Sequence, residues 1–193
     1  MKHPTDKPSS PVMRFFTPEL YLLFNSPDDE VADRADEDWE KALQEYQRHL
    51  DALRPRMPSQ VRALADLCLH DAEFLDLSQE PQPIVAGEPF QYFPLWSAVA
   101  ILSVKQERKV WSLIYLLWDR VREYAAAQDW PFSKSRKHWL YDEVDTGPDH
   151  RDRFLHRILF SDGSITEIPL VSVIASGVTL PTPEEGDPAR QIA

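Results

Sequence analysis

The sequence predicts an α+β fold: N-terminal helices, one of them long, followed by an antiparallel sheet of about six strands. Three observations support this fold class. Apolar residues recur at spacings of three and four across residues 31–53, and the period shortens toward two after Cys68. Asp162-Gly163 then lies between two alternating apolar runs, which is a strong hairpin signal.

The chain of 193 residues is long enough for one domain, which we place at residues 13–176. Residues 1–12 are rich in Pro, Ser and charge, and the segment 177–193 is acidic and rich in Pro. We expect both terminal segments to be disordered. The recognisable pattern begins at Met13, so the sequence leaves open whether Met1 or Met13 is the biological start.

The charge balance restricts the possible partners. The sequence has 21 basic and 32 acidic residues, a formal net charge of −11, whereas a nucleic-acid-binding protein needs a clustered basic surface. We therefore expect no nucleic acid partner and, if there is a charged partner, a basic protein. No apolar run approaches the length of a membrane span or a signal peptide core, so the sequence predicts a cytoplasmic protein without a membrane partner.

Two helix starts stand near the N-terminus. Thr17-Pro18 predicts the N-cap and first position of a short helix, and Ser26-Pro27 predicts the start of the long one, which ends near Pro55. The face of the long helix opposite its apolar stripe is acidic, with Asp33, Asp36, Glu37, Asp38, Glu40 and Glu45. This face is either simply solvated or a docking surface for a basic partner.

The remaining elements follow from the change of period and from turn residues. A short helix begins at Ser59, and the single Cys68, flanked by leucines, excludes a disulfide within the chain and is expected to be buried. The pattern then predicts a strand at 73–77, a loop at 81–94, a hairpin of 98–105 with 110–117, a brief helix within 119–128, and a closing meander at 138–171.

The predicted turn at 162/163 fixes a register for the meander. Ile158 then faces Glu167, and Phe160 faces Ile165. One face of the sheet would carry His156, Ile158, Phe160, Ile165 and Glu167, and the other Leu155, Leu159, Ile168 and Leu170.

A polar cluster is the main candidate site. Tyr141 and Glu143 alternate onto one face, and the loop after them brings Glu143 near His156, with Glu167 on the strand beyond. These four residues form either a cross-strand ladder on a wet face that a partner could contact, or a metal or general acid/base site. Asp142 belongs to the opposite face, where Arg157 is its expected partner.

The dipeptide His70-Asp71 is similar to the metal-binding dipeptide of the His-Asp phosphohydrolases. A metal-assisted hydrolase would combine His70, Asp71, Glu143 and His156. The alternative is structural: Asp71 caps the corner between helix and strand while His70 bonds a nearby carbonyl. No Gly-rich phosphate loop, nucleophile elbow or paired Cys motif is present, and the sequence indicates no cofactor.

The segments FTPELY, LCLHDA, WLYDEVD and FLHRILFSDG together resemble a family of uncharacterised bacterial proteins, a domain of unknown function, over about residues 13–175. The resemblance implies helices followed by strands and a bacterial cytoplasmic setting, but no activity. Fold and charge are also similar to those of immunity proteins that neutralise toxins. Our sequence hypothesis is a non-enzymatic protein-binding domain; the alternative is the metal-assisted hydrolase.

Overall fold

A computed structural model describes residues 13–81, 96–104, 108–132, 136–147 and 153–180. The N-terminal part contains three helices: α1 (Pro18–Phe24), α2 (Asp29–Leu53) and α3 (Ser59–Ala65). The sheet that follows has seven strands: β1 (Glu73–Pro81), β2 (Trp96–Val104), β3 (Lys109–Leu117), β4 (Arg122–Tyr124), β5 (Trp139–Thr146), β6 (Phe154–Phe160) and β7 (Ile165–Thr179). All the strand pairs are antiparallel, so the predicted α+β class is confirmed.

The helix boundaries follow from capping. Thr17 caps α1 as predicted, because its hydroxyl accepts the N–H of Leu20 at 3.2 Å. The cap of α2 is Asp28, whose carboxylate accepts the N–H of Val31, and not the predicted Ser26. Ser26 instead accepts the N–H of Asp28, which holds the turn that enters the helix.

The sheet curls until its two ends meet. Its strand order is β1-β2-β3-β7-β6-β5, and β4 pairs with the first residues of β7. The start of β1 then reaches the start of β5, where Asp71 and Phe74 donate their N–H groups to the carbonyls of Trp139 and Lys137. Trp139 in turn donates to the carbonyl of Ala72, so three backbone hydrogen bonds close the curl.

The curled sheet has an inner and an outer face, each with its own apolar cluster. The inner cluster contains Leu113, Tyr115, Trp139 and Phe160, and α3 contributes Leu64 to it. The second cluster lies on the outer face of β5–β7, where the N-terminal residues Met13, Phe15 and Phe16 and α2 residue Trp39 pack against Leu140, Leu159 and Ile165. The helical layer therefore covers one part of the outer face.

The turn between β6 and β7 differs from the sequence prediction. Phe160 accepts the N–H of Gly163 and donates to the carbonyl of Ser164, so the loop has three residues and not two. A two-residue type I′ turn needs positive φ at both central residues, but only Gly163 (φ 77) has it and Asp162 does not. The pairing shifts by one position: Arg157 faces Glu167, Ile158 faces Thr166 and Leu159 faces Ile165.

This one-residue shift changes which residues share a face. His156, Ile158 and Phe160 lie on the inner face with Ile168, whereas Ile165 and Glu167 lie on the outer face. The predicted face that joined His156 to Glu167 is therefore wrong. The prediction that Leu155 and Leu159 share a face with Ile168 and Leu170 is wrong for the same reason.

Other differences are local. The predicted helix within 119–128 is replaced by the short strand β4, because its backbone pairs with β7. β7 continues to Thr179, beyond the predicted domain end at residue 176, because β3 pairs with it along that length. Cys68 is exposed, not buried. The hairpin of β2 and β3 is confirmed, while residues 1–12, 82–95 and 181–193 lie outside the described residues.

Replacing Gly163 with Ala should destabilise the fold by about 1–3 kcal/mol, the usual cost of a left-handed conformation in a residue other than Gly. A Cβ atom at this position would also stand only 2.4 Å from the Trp130 ring. Urea unfolding of Gly163→Ala alone and in a Trp130→Ala background separates the two effects, since only the steric part should disappear with the ring. A stability equal to that of the parent in both backgrounds would contradict the assigned turn.

Candidate functional site

A buried network of hydrogen-bonded polar side chains crosses the inner face of the sheet. The Tyr115 hydroxyl lies 3.1 Å from His156 Nδ1, and His156 Nε2 lies 3.0 Å from the Asp142 carboxylate. Trp139 Nε1 donates to the other oxygen of Asp142 at 2.9 Å. Because a carboxylate can only accept, Nε2 carries the proton, and in the neutral ring Nδ1 accepts from Tyr115.

The environment of this polar network gives it a structural role. His156, Tyr115 and Trp139 are fully buried, and burial, with the nearby Asp142 charge, raises the pKa of Tyr115 well above its ordinary value. Each polar atom of this network has a hydrogen-bonding partner inside the core. The network therefore satisfies buried polar groups that would otherwise destabilise the fold. His156 is therefore held between Tyr115 and Asp142, and not beside Glu143 as predicted.

An ionic cluster occupies the outer face of β5, β6 and β7. The Arg157 guanidinium lies 2.9 Å from Glu167, 3.3 Å from Asp145 and 3.4 Å from Glu143. Arg157 thus pairs with residues of its own face, and the predicted pair with Asp142 is wrong because Asp142 points to the inner face. On the far side of Glu167, Arg122 reaches the same carboxylate at 3.3 Å.

Glu143 fastens the N-terminal segment to the sheet. Its two carboxylate oxygens accept the backbone N–H groups of Arg14 at 2.7 Å and Phe15 at 2.9 Å. Burial raises the pKa of Glu143, while these two N–H donors and Arg157 act in the opposite direction. The residue predicted as a metal ligand or acid/base group is therefore an anchor for residues 13–16.

The His70-Asp71 corner adopts the structural role that the sequence allowed. His70 Nδ1 bonds the Leu140 carbonyl, and the ring packs against Tyr141 at a centroid distance of 5.0 Å. Asp71 has a left-handed backbone (φ 64), and its N–H bonds the Trp139 carbonyl. The corner therefore joins the start of β1 to β5.

The four candidate metal ligands do not form one site. His70 and Asp71 lie at the β1–β5 junction, Glu143 lies on the outer face and His156 lies on the inner face. Across the described ranges, no group of three or more His, Cys, Asp or Glu side chains is placed to hold one metal ion. The arrangement predicted for a metal-assisted hydrolase is not the one observed.

The predicted binding face is also covered. Glu143, His156 and Glu167 are buried, and Tyr141 packs under the helices with its ring 4.3 Å from that of Trp39. The wet face expected from the strand pattern is instead the seat of α1, α2 and the N-terminal segment. A partner would reach Tyr141 and Glu143 only after the helical layer had moved away, and His156 lies on the opposite, inner face.

Sequence reasoning missed a different surface, which we call the open face. It is the outer side of β2, β3 and the second half of β7, and its residues are Ser97, Val99, Ile101, Ser103, Val110, Ser112, Ile114, Leu116, Ser172, Ile174, Ser176 and Val178. None of these twelve residues is charged, and Ile174 and Val178 are 61% and 63% exposed. The available signal was the alternation of Ser with aliphatic residues along these strands.

Comparisons with known proteins give no information on function, so the function has to be inferred from the geometry. No protein-family model, curated protein or solved structure matches the chain significantly. Within the described ranges, every helix is too short or too polar to cross a lipid bilayer. The open face and the buried polar clusters are therefore the features from which a function has to be inferred.

Stability should fall with rising pH because of Glu143. Its pKa in the folded protein is raised above the ordinary 4.5, so the folded state holds the proton more tightly than the unfolded chain. The free energy of unfolding attributable to this group then decreases as the pH rises from about 4.5 through the folded pKa. Urea unfolding between pH 4 and pH 7 should show a steeper loss for the parent than for Glu143→Gln. Equal slopes would contradict the raised pKa.

Proposed function

We propose that the chain is a non-enzymatic protein-binding domain and that the open face is its docking surface. The observation that carries the proposal is an aliphatic row across three strands, in which Ile114 and Ile174 are exposed and Val99 is half-buried, on a face without a single charge. A chain with 27% charged residues would place about three charges among twelve average positions. Exposed apolar patches of this kind mark interaction surfaces.

Sheet geometry gives the size of the open face. Each outward position of a sheet occupies about 4.8 Å across the strands and about 6.7 Å along them, so twelve positions cover roughly 390 Å². The seven aliphatic positions account for roughly 225 Å² of it, a smaller area than the ~300–600 Å² of the largest apolar patches on monomeric proteins. The neighbouring part of the outer face is buried under the chain's own helices, so an outer surface of this sheet can pack against another element.

The polar clusters support the non-enzymatic part of the proposal. Arg157 pairs with Glu143 and Glu167 on the outer face, and His156 is enclosed between Tyr115 and Asp142. These groups are explained by the stability of the fold and leave no unexplained reactive side chain among them. The same proposal includes membership of the bacterial family of unknown function that the sequence resembles, and a cytoplasmic location.

A photoreactive amino acid at Ser112, in the centre of the open face, should capture the partner in cells that express the full chain. The same label at Gln47, exposed on α2, is the control. Binding of the captured and purified protein should weaken at least tenfold with Ile174→Asp, because a charge is then buried in an apolar contact. Adducts of equal yield at both positions, or binding that tolerates Ile174→Asp, would contradict a docking role for the open face.

The exposed face of α2 supports a second, immunity-like candidate: recognition of a basic protein. Residues 29–53 contain nine acidic residues and three Lys or Arg residues. The Lys41 ammonium is already paired with Asp38, and Arg48 bonds the carbonyl of Gln44 in its own helix. The excess negative charge would attract a basic partner and speed its association.

Charge reversal of Asp36, Glu37 and Glu40 to Lys tests this second candidate against a matched triple reversal of Glu19, Glu123 and Asp129, which are also exposed and lie outside α2 and the open face. Binding of a basic protein recovered from the same cells should weaken at least tenfold more in the α2 variant, and its salt dependence should flatten. Equal weakening in both variants would assign the effect to net charge and would confine the acidic helix face to solubility.

A further inference from the structure

We propose that the protein docked on the open face is a second copy of this chain, so that the domain works as a face-to-face homodimer. This inference rests on the proposed function and names its partner. Interfaces between identical chains are more apolar than those between different proteins, and their cores are depleted of charge. The open face has seven aliphatic residues, five serines and no charged residue among its twelve outward positions, so it shares the depletion of charge, but not the scarcity of Ser, of such interfaces.

Charge favours contact through this face. Each chain carries a net charge of −11, so two copies repel one another, most strongly where acidic surfaces meet. The exposed side of α2 is acidic, and β1, at the border of the open face, carries Asp76 and Glu80. Contact through the open face brings two uncharged surfaces together and keeps the acidic residues at the rim. Another acidic molecule can therefore approach here without direct like-charge contacts.

The positions of the residues are self-complementary under a two-fold axis that runs along β3. Such an axis places β2 of one copy over β7 of the other, so that Val99 meets Ile174 of the second copy. Ile114 and Ser112, on the central strand, then meet the same residues of the second copy. Two sheets packed in this way lie about 10 Å apart, with mean strand directions within about 30° of each other.

The area buried between the two copies determines how stable a dimer we expect. Roughly 390 Å² from each copy gives about 780 Å² in total, below the ~1,200–2,000 Å² of stable protein–protein interfaces. We therefore expect a weak dimer in rapid exchange with the monomer. Its population should increase with protein concentration over the range from about 10 to about 500 μM, which sets the range that an experiment has to cover.

Sedimentation equilibrium of the full chain tests the inference. The parent should dimerise, Ile174→Asp should stay monomeric, and Leu75→Asp should behave like the parent because Leu75 is exposed on β1 outside the open face. Added salt should strengthen the dimer, since it screens repulsion between two chains of −11. Circular dichroism verifies that both variants are folded. A parent that stays monomeric throughout, or a dimer that both variants retain, would overturn the inference.

Cysteine crosslinking fixes the position of the contact. In a Cys68→Ser background, Ser112→Cys should give a covalent dimer with a short bis-maleimide reagent, because residue 112 lies beside the proposed axis and the facing sheets, about 10 Å apart, are too distant for a direct disulfide. Ser78→Cys, two strands away on β1, should not do so, since the two copies of β1 would be roughly 19 Å apart. A dimer linked through Ser78→Cys but not through Ser112→Cys would overturn the assigned face.

The outcomes separate this inference from the proposed function. A photoreactive Ser112 that captures a different protein, together with a monomeric parent, overturns the second copy and leaves the docking surface in place. Capture of the chain itself by Ser112, lost with Ile174→Asp, supports both proposals. A monomeric parent without any capture at Ser112 overturns both.

Discussion

The pairing of Arg157 with Glu167 across the β6–β7 hairpin determines where the ionisable residues of the sheet lie. Because side chains alternate between faces, a register that sets these two residues opposite each other also sends His156 and Asp142 to the inner face. The outer side then receives Glu143, Asp145, Arg157 and Glu167, where the Arg157 guanidinium contacts all three carboxyl groups at distances of 2.9–3.4 Å. Burial of these groups is tolerable only because each has a partner.

The partial cover of the sheet by helices follows from this arrangement. The N-terminal segment is fastened to Glu143, and this places Phe15 and Phe16 between α2 and the outer face. Helix α1 and the first part of α2 therefore lie on the part of the outer face that carries the ionic cluster. On the rest of the outer face, formed by β2, β3 and the second half of β7, Ile114, Leu116, Ile174 and Val178 stay exposed. Among the described residues, the polar part of the outer face is thus covered and the apolar part is not.

The sequence predicted element types well and relative positions poorly. Apolar spacing of three and four located α2, and strand alternation located the β2–β3 hairpin, because both signals are local. The turn at Gly163 depends on whether Asp162 can adopt positive φ, and the dipeptide alone does not decide that. This single ambiguity reversed the grouping of His156 with Glu167. The anchoring of Arg14 and Phe15 on Glu143 joins residues more than 120 positions apart, and no local pattern reports it.

The register of the β6–β7 hairpin can be measured directly by nuclear Overhauser contacts between α-protons in the folded protein. Directly opposed residues that are not hydrogen-bonded approach most closely, with Cα atoms about 4.5 Å apart. The three-residue loop places Arg157 opposite Glu167 and Leu159 opposite Ile165 as such pairs. Strong α-proton contacts within these two pairs are the expected result. A contact between Ile158 and Glu167 in their place would restore the two-residue turn and contradict the separation of His156 from Glu167, on which the non-enzymatic part of the proposed function rests.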